Sequence, residues 1–307
     1  MVRYAVRRLV LLIPTLLGVS IAVFLLRGLI PGDPVELMFF GQSVDQETIE
    51  IVRRDLGLDR PLSEQYLKFL LRALQGDLGT SIQSGLPVTQ EILNRYPATL
   101  YLAISGTLVA IVLGVSAGVV AAIFRDRLWD TLIMAATTVG QSMPSFWLGL
   151  LLISLVSVRW GILPVMGSDS PRHLILPALT IGLITSALIA RMTRSTLLEV
   201  LNEDYVRTAR AKGLREMRVV LGHAMRNAAL PVVTIVGLQF GNLLAGAFIV
   251  EVVFSWPGVG EMAVTAINQR DYPVIQGILL VVSSSYVIVN TAIDVLYGVL
   301  DPRVAYD

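Results

Sequence analysis

The sequence predicts an all-α polytopic membrane protein with six transmembrane helices and a small helical subdomain outside the bilayer. Three observations carry this. Of the 307 residues, 54% are hydrophobic and 15% are charged, whereas a soluble domain carries about 25% charged residues. The mean hydropathy is +0.71. The apolar residues gather into runs long enough to cross a bilayer, which takes about 20 residues.

The first span is expected at 9–30. Arg3, Arg7 and Arg8 precede it, as basic residues precede a signal peptide. The apolar run Leu9–Leu26 exceeds the usual 7–15 residues of such a peptide, roughly, and no small-x-small cleavage site follows, so a retained helix is expected. Segment 31–98 reads as the external subdomain. Ser43 can cap a helix through Asp45–Leu56 that stops at Gly57, and Ser63 starts another with Tyr66, Phe69, Leu70 and Ala73 on one face, stopping near Gly76.

The remaining spans are expected at 99–124, 132–158, 174–190, 230–253 and 276–300. The second carries small residues four apart (Gly106, Ala110, Gly114, Gly118 and Ala122), and the fifth carries Gly237, Gly241 and Ala245. Such stripes let helices approach closely in lipid, either within the chain or at a dimer or sliding interface. In the third span, Gln141-Ser142-Met143-Pro144-Ser145-Phe146-Trp147 interrupts the helix with polar groups. It lines a path or is an internal kink satisfied by its neighbours. With Gln239 and Asn242, the residues Gln141, Ser142, Phe146 and Trp147 form the candidate translocation path.

The connecting segments alternate sides. One side totals 61 residues with 14 Lys and Arg, the other 105 residues with 9. The positive-inside rule then puts both termini and the 191–229 insert in the cytoplasm. The chain divides into 1–30, the external subdomain 31–98, and a five-helix core 99–307 that includes the insert.

The insert contains the clearest short helix. Asn202 is a good N-cap, Glu203 and Asp204 suit the first turn, Arg210 and Lys212 the last, and Gly213 is a natural terminator. Tyr205, Ala209 and Lys212 share a face, and the small Ala209 and Ala211 would let a partner come close. A second helix, Glu216–Ala229, is expected to end before Pro231 starts span five. Arg194, Arg207, Arg215, Arg218 and Arg226 suit lipid headgroups, so the residues alone leave docking element and solvated connector open.

Several chemistries are absent from the sequence. The only lysines are Lys68 and Lys212, neither after a glycine, so there is no phosphate-binding loop. No nucleophile elbow or paired-histidine zinc motif occurs; Gly79-Thr80-Ser81 lacks the closing glycine. The chain has no cysteine and two histidines, His173 and His223, which argues against a metal site. The mid-span polar groups are mostly neutral, so neither the ionisable relay of an ion-coupled carrier, nor the internal repeat usual there, is evident. No active site is expected, nor are the side chains of a membrane enzyme or respiratory subunit.

Glu203-Asp204-Tyr205-Val206-Arg207-Thr208-Ala209-Arg210-Ala211-Lys212-Gly213, with His223-Ala224-Met225-Arg226-Asn227 and Leu230-Pro231, closely resembles the coupling motif of permease subunits in binding-protein-dependent ABC importers. The likeness is to the dipeptide, oligopeptide and nickel branch. Arg7-Arg8, Ile30-Pro31-Gly32-Asp33-Pro34, Leu56-Gly57-Leu58-Asp59-Arg60-Pro61, Gly76-Asp77-Leu78-Gly79-Thr80-Ser81, Glu251 through Gly260, Arg270-Asp271-Tyr272-Pro273-Val274 and Asp301-Pro302-Arg303 also resemble that branch. The long segment 31–98 resembles the first of its two permeases. One departure stands out: the general motif begins Glu-Ala-Ala, and here Arg210 separates Ala209 from Ala211.

The resemblance implies a type I importer permease fold in a bacterial or archaeal plasma (inner) membrane. It implies a second permease, two ATPase subunits and an external substrate-binding protein as partners, besides membrane lipid and without nucleic acid. ATP and Mg would bind the partners and no cofactor this chain. Glu203, Asp204, Tyr205, Thr208, Ala209, Arg210, Ala211, Lys212 and Gly213 would dock on an ATPase. Segments 31–98 and 254–275 would face the binding protein. The expected cargo is di- or oligopeptides, with nickel or another small solute as the alternative.

Overall fold

A computed structural model describes residues 2–26, 45–55 and 59–300. Among them the chain is helical, apart from one isolated antiparallel bridge between Thr80 and Pro87. Ile30–Pro34, Ser43, Leu56–Leu58 and Asp301–Arg303, named above, lie outside the described residues.

Helix α1, Val2–Leu26, is the first span. Two short helices follow, α2 (Gln46–Asp55) and α3 (Leu62–Leu74). Asp45 opens α2, its carboxylate accepting the Thr48 hydroxyl at 2.5 Å. The face foreseen on α3 is the half-buried one. Its Tyr66 and Phe69 rings lie 5.5 and 5.8 Å from the Phe24 ring of α1, and the Tyr66 and Ser20 hydroxyls are 2.8 Å apart. At the following turn, the backbone N–H of Gly79 and the Arg72 guanidinium hold the Asp77 carboxyl below its ordinary range.

Helix α4, Val88–Ile123, starts eleven residues before the expected 99. Its extra turns are not lipid-facing: Val88 and Ile92 are buried, and Arg95 pairs with Glu261 at 2.6 Å. The third span is broken. Helix α5, Leu128–Ser142, and helix α6, Ser145–Leu152, which continues as a π-helix Ile153–Arg159, meet at a 106° bend. Met143 and Pro144 are both extended there, and proline disfavours helix at the residue before it.

Helix α7, Arg172–Val200, runs ten residues past the expected end of span four. It is followed by α8 (Asp204–Ala211) and by α9, in which Glu216–Arg218, a π-helical stretch Val219–Ala224 and Met225–Gly246 run on as one helix. Pro231 therefore lies inside a span and does not start one. Spans tolerate this where neighbours satisfy the freed carbonyl. The chain finishes with α10 (Phe248–Val253), α11 (Val259–Gln269) and α12 (Tyr272–Leu300).

Among the described residues, five helices are long and apolar enough to cross a membrane, and the bent pair, taken as one span, makes the sixth. The glycine stripe of α4 is consumed within the chain. A Cβ on Gly114 would sit 2.7 Å from Ile189 Cβ, and one on Gly118 would sit 2.5 Å from the Ala190 carbonyl oxygen, both on α7. Gly237 and Gly241 of α9 likewise meet Ile293 and Asn290 of α12. The α4–α7 pair is the spine around which the other spans pack.

Candidate coupling and translocation site

At one end of the α4–α7 spine stands α8. Glu203 is its extended N-cap and makes no side-chain capping bond. The expected cap, Asn202, instead donates to the Leu198 carbonyl at 3.0 Å, finishing α7. The helix ends as foreseen. Lys212 is the last near-helical residue, and Gly213 has φ +77°, a conformation that glycine adopts without strain.

The buried stripe of α8 is Val206 and Ala209, packed on Val219 of α9 with Leu201 and Leu214 around them. Ala209 thus faces the chain itself. It does not share an open face with Tyr205 and Lys212, because residues three apart on a helix lie together and Val206 outweighs the polar neighbours. Glu203, Asp204, Tyr205, Arg207, Thr208, Arg210, Ala211 and Lys212 are exposed. Two side-chain ties hold α8 to α9. Arg210 donates to Glu216 through Nη2 at 2.7 Å and Nε at 3.2 Å, and Asn227 donates to the Tyr205 hydroxyl at 2.7 Å. The Glu216 carboxylate pushes the Arg210 guanidinium above its ordinary range. The result is a short polar helix on a braced base, with one face free.

The path candidates fall into two groups. Ser142, Phe146 and Trp147 line a recess of about 460 Å³ at the bend, with Thr138, Val139, Met143 and Pro144. Its walls are almost wholly apolar. Gln141 points elsewhere and accepts from Arg191 Nη2 at 2.8 Å. On α9, Asn242 donates to Gln239 at 3.2 Å. Neither of these two lines the recess, so the chain does not gather all six residues around one cavity.

Two of the motifs noted in the sequence prove to be braces. Glu251, fully buried, accepts Thr99 Oγ1 at 2.7 Å, Gly260 N at 2.7 Å and Glu261 N at 3.2 Å. It therefore caps the N-terminus of α11 and ties it to α4. A Cβ on Gly258 would lie 2.3 Å from this carboxylate, which is why glycine stands there. Trp256 adds a bond from Nε1 to the Ala98 carbonyl at 2.8 Å. The second brace is Asp271, whose Oδ2 accepts Ser81 Oγ at 2.5 Å and Gln83 N at 3.2 Å. Two polar ties went unforeseen. Asp294 of α12 pairs with Arg8 of α1 at 2.6 Å, and Asp130 of α5 pairs with Arg194 of α7. Arg194 is thus engaged within the protein, not at lipid headgroups. Only the opposite signs within apolar runs could have hinted at these pairs.

A polar helix set on a bent, glycine-packed bundle of six spans defines a transport permease. The chain belongs to the family described as binding-protein-dependent transport system inner membrane component, whose model matches residues 110–306, with the N-terminal family model matching residues 1–103. It is 48% identical to the glutathione transport system permease protein GsiC of Escherichia coli O6:H1, covering 100% of both chains. It is 47% identical, again over 100% of both, to GsiC of Shigella dysenteriae serotype 1. Among solved structures, a chain of the MetNI methionine ABC transporter in an inward-facing conformation matches with TM-score 0.58 at 19% identity, over 68% of this chain and 96% of that one. A chain of an amino acid ABC transporter with histidines matches with TM-score 0.52 at 16% identity, over 70% and 94%. The protein is a multi-pass permease subunit of an ABC importer in the inner membrane, and the ion-coupled carrier reading is set aside.

Proposed function

We propose that this permease forms half of the path for small peptides of glutathione type, delivered by an external binding protein and driven by ATPases that dock on α8. The observation that supports the cargo is identity of 48% along the full length to a permease named for glutathione transport. The recess at the bend suits such cargo: its walls are apolar, so a polar peptide would slide past without being held.

Docking rests on the free face of α8. Asp204, Thr208, Ala211 and Lys212 are exposed there, Val206 and Ala209 secure it from behind, and Tyr205 and Arg210 flank it while bracing it to α9. Glu203 and Gly213 shape its two ends, and Ala209 contributes from behind, through packing. A second permease completes the path, and two ATPase subunits hold the ATP and Mg, no cofactor being needed in this chain. Both termini and α8 lie on the cytoplasmic side, where the basic residues concentrate. Segment 31–98 and the 254–275 turn, braced to each other through Ser81 and Asp271, face the binding protein.

The test is to purify the chain with its co-expressed neighbours and reconstitute the complex in vesicles. Glutathione and a panel of di- to pentapeptides are then offered to the binding protein by calorimetry, and uptake is followed with labelled glutathione. Uptake dependent on ATP and on the binding protein is expected. A binding protein that holds nickel or a sugar, and no peptide, would overturn the cargo.

A further inference from the structure

Helix α5 is anchored in an unusual way. Of its 15 residues the only buried one is Asp130. Its apolar side chains are mostly turned outward: Leu128, Trp129, Leu132 and Val139 are 70%, 59%, 49% and 55% exposed. α5 packs along the spine through half-buried side chains, Ile133 and Met134 among them, and its one fully buried side chain is the carboxylate of a charge pair. Arg194 Nε and Nη2 donate to Asp130 Oδ1 and Oδ2, each at 2.6 Å, in a two-pronged arrangement. Asp130 Oδ2 also accepts the Asp126 backbone N–H at 3.0 Å, so the turn entering α5 is gathered at the same point.

The other arm of the bent pair is held quite differently. Gly149 of α6 lies against Phe254 and Val253, and Ile153 is buried in the cluster of Leu102, Leu176 and Phe254 at the far end of the bundle. One arm is thus packed into the far core. The other hangs on α7 close to where α7 leads into α8. Between them sits the joint Met143-Pro144, with the recess around it. The two different anchorages therefore meet at this joint.

We propose that Asp130 and Arg194 are a positioning pair that carries movement of α7 into the bend and so sets the width of the recess. The proposal rests on α8 being the docking helix. Arg194 leads because it lies on the helix that continues into α8, and Asp130 follows because it is the one fully buried side chain of α5 and both its oxygens are held by Arg194. A bidentate pair with one buried partner resists rotation as well as separation, which a single contact would not. Arg191 donating to Gln141 near the joint adds a second tie to the same arm.

The chain has no cysteine, so pairs of labels are introduced in it once any cysteines of the partner subunits are replaced. Nitroxide pairs are placed at Val139 and Val112, reporting the bend, and at Arg215 and Val112, reporting the docking region; all three sites are exposed. Pulsed electron resonance distances are measured in the complete reconstituted complex with ATP and Mg plus vanadate, and without nucleotide. In the wild type both pairs shift. In Asp130→Asn and Arg194→Gln the Arg215 pair still shifts, the Val139 pair does not, and ATP hydrolysis stays within about twofold of wild type. Exchanging the residues, Asp130→Arg with Arg194→Asp, restores the Val139 shift, and Arg194→Lys keeps part of it.

Nucleotide-dependent shifts of the Val139 pair in both neutral variants overturn the proposal and leave the docking reading intact. So does a wild type in which Arg215 moves and Val139 does not. A wild type in which neither pair moves overturns both readings. If the neutral variants fail to assemble, the exchange and Arg194→Lys variants decide: a Val139 shift supports the pair, and its loss in the assembled complex overturns it. These distances are measured per complex, so a merely structural role, which lowers abundance, does not move them.

Discussion

The hydroxyl of Ser81 donates to the carboxylate of Asp271 at 2.5 Å across 190 residues of sequence, in a buried setting. It closes the turn after α3 onto the turn between α11 and α12, where Arg270 takes the left-handed conformation at φ +57°. Gly79 reaches the same place, its Cβ direction ending 3.8 Å from Pro273. Two motifs far apart in the chain are therefore halves of one brace.

Removing the acceptor should open that brace. Asp271→Ala leaves the Ser81 O–H and the Gln83 N–H without an acceptor, at about 1–3 kcal/mol for each donor left unsatisfied. Ser81→Ala strands one donor, the Ser84 N–H that reaches Ser81 Oγ at 3.0 Å, and should cost less. The expected outcome is faster protease cleavage between Gly76 and Pro87 in Asp271→Ala than in Ser81→Ala, with span packing retained. Equal cleavage in wild type and both variants would show that other contacts hold the turn.

Glu251 should prove less replaceable than any other carboxylate described. Its two oxygens serve a hydroxyl and two backbone N–H groups in full burial. Glu251→Ala strands all three donors beside a cavity, and a loss of several kcal/mol, about 1–3 per group, is expected. Glu251→Gln can keep its oxygen on the two N–H groups but must turn its NH2 toward the Thr99 hydroxyl, which then has to accept and not donate, so it should fall between. Membrane abundance and the thermal aggregation midpoint of the purified chain should rank wild type, then Gln, then Ala. An Ala variant as stable as wild type would mean that the three donors find other partners.

The spans were legible because burial in lipid demands long apolar runs, and α1, α4, α7, α9 and α12 each supply one. The glycines of α4 were legible as a close-packing stripe for the same reason, since only a missing Cβ lets Ile189 and Thr193 come so near. The half-buried face of α3 followed from its helical spacing. The polar ties were not legible. Asp130 with Arg194, Arg8 with Asp294 and Ser81 with Asp271 join residues 64, 286 and 190 positions apart. No local pattern fixes which charge meets which. The early start of α4 was hidden because Glu91 and Arg95 break the apolar run, and the structure places their turns beside α11. The cap of α8 was misplaced because Asn202 has a competing acceptor, the Leu198 carbonyl one turn back.

The glycine stripe makes a graded prediction. Gly118→Ala puts a methyl 2.5 Å from a backbone oxygen that cannot rotate away, and Gly114→Ala meets Ile189 and the Ser186 carbonyl in the same way. Overpacking of this kind costs typically about 1–3 kcal/mol. Gly140→Ala and Gly18→Ala meet nothing within 4 Å and serve as controls. Chain abundance should drop for the first pair and hold for the second. Normal abundance for Gly118→Ala would mean that the α4–α7 spacing is looser than the structure has it.

The two faces of α8 should fail in different ways. Ala209 is 7% exposed and packed on Val219, so Ala209→Leu should force α8 off its base and lower the amount of folded chain in the membrane. On the open face, Lys212→Glu with Ala211→Arg changes charge and bulk while touching no internal contact seen here. That double variant should reach the membrane at wild-type level, yet copurify with at most about a tenth of the ATPase, a loss of roughly 1.4 kcal/mol in binding. Gly213→Val tests the hinge between them: at φ +77° a β-branched residue is strained although nothing crowds it, so the loss should come from backbone and not from contact. Asn at 213, which tolerates the left-handed region, should recover much of what Val loses. If the open-face variant binds ATPase as well as wild type does, α8 is a brace for α9 and the docking surface lies elsewhere on the basic side.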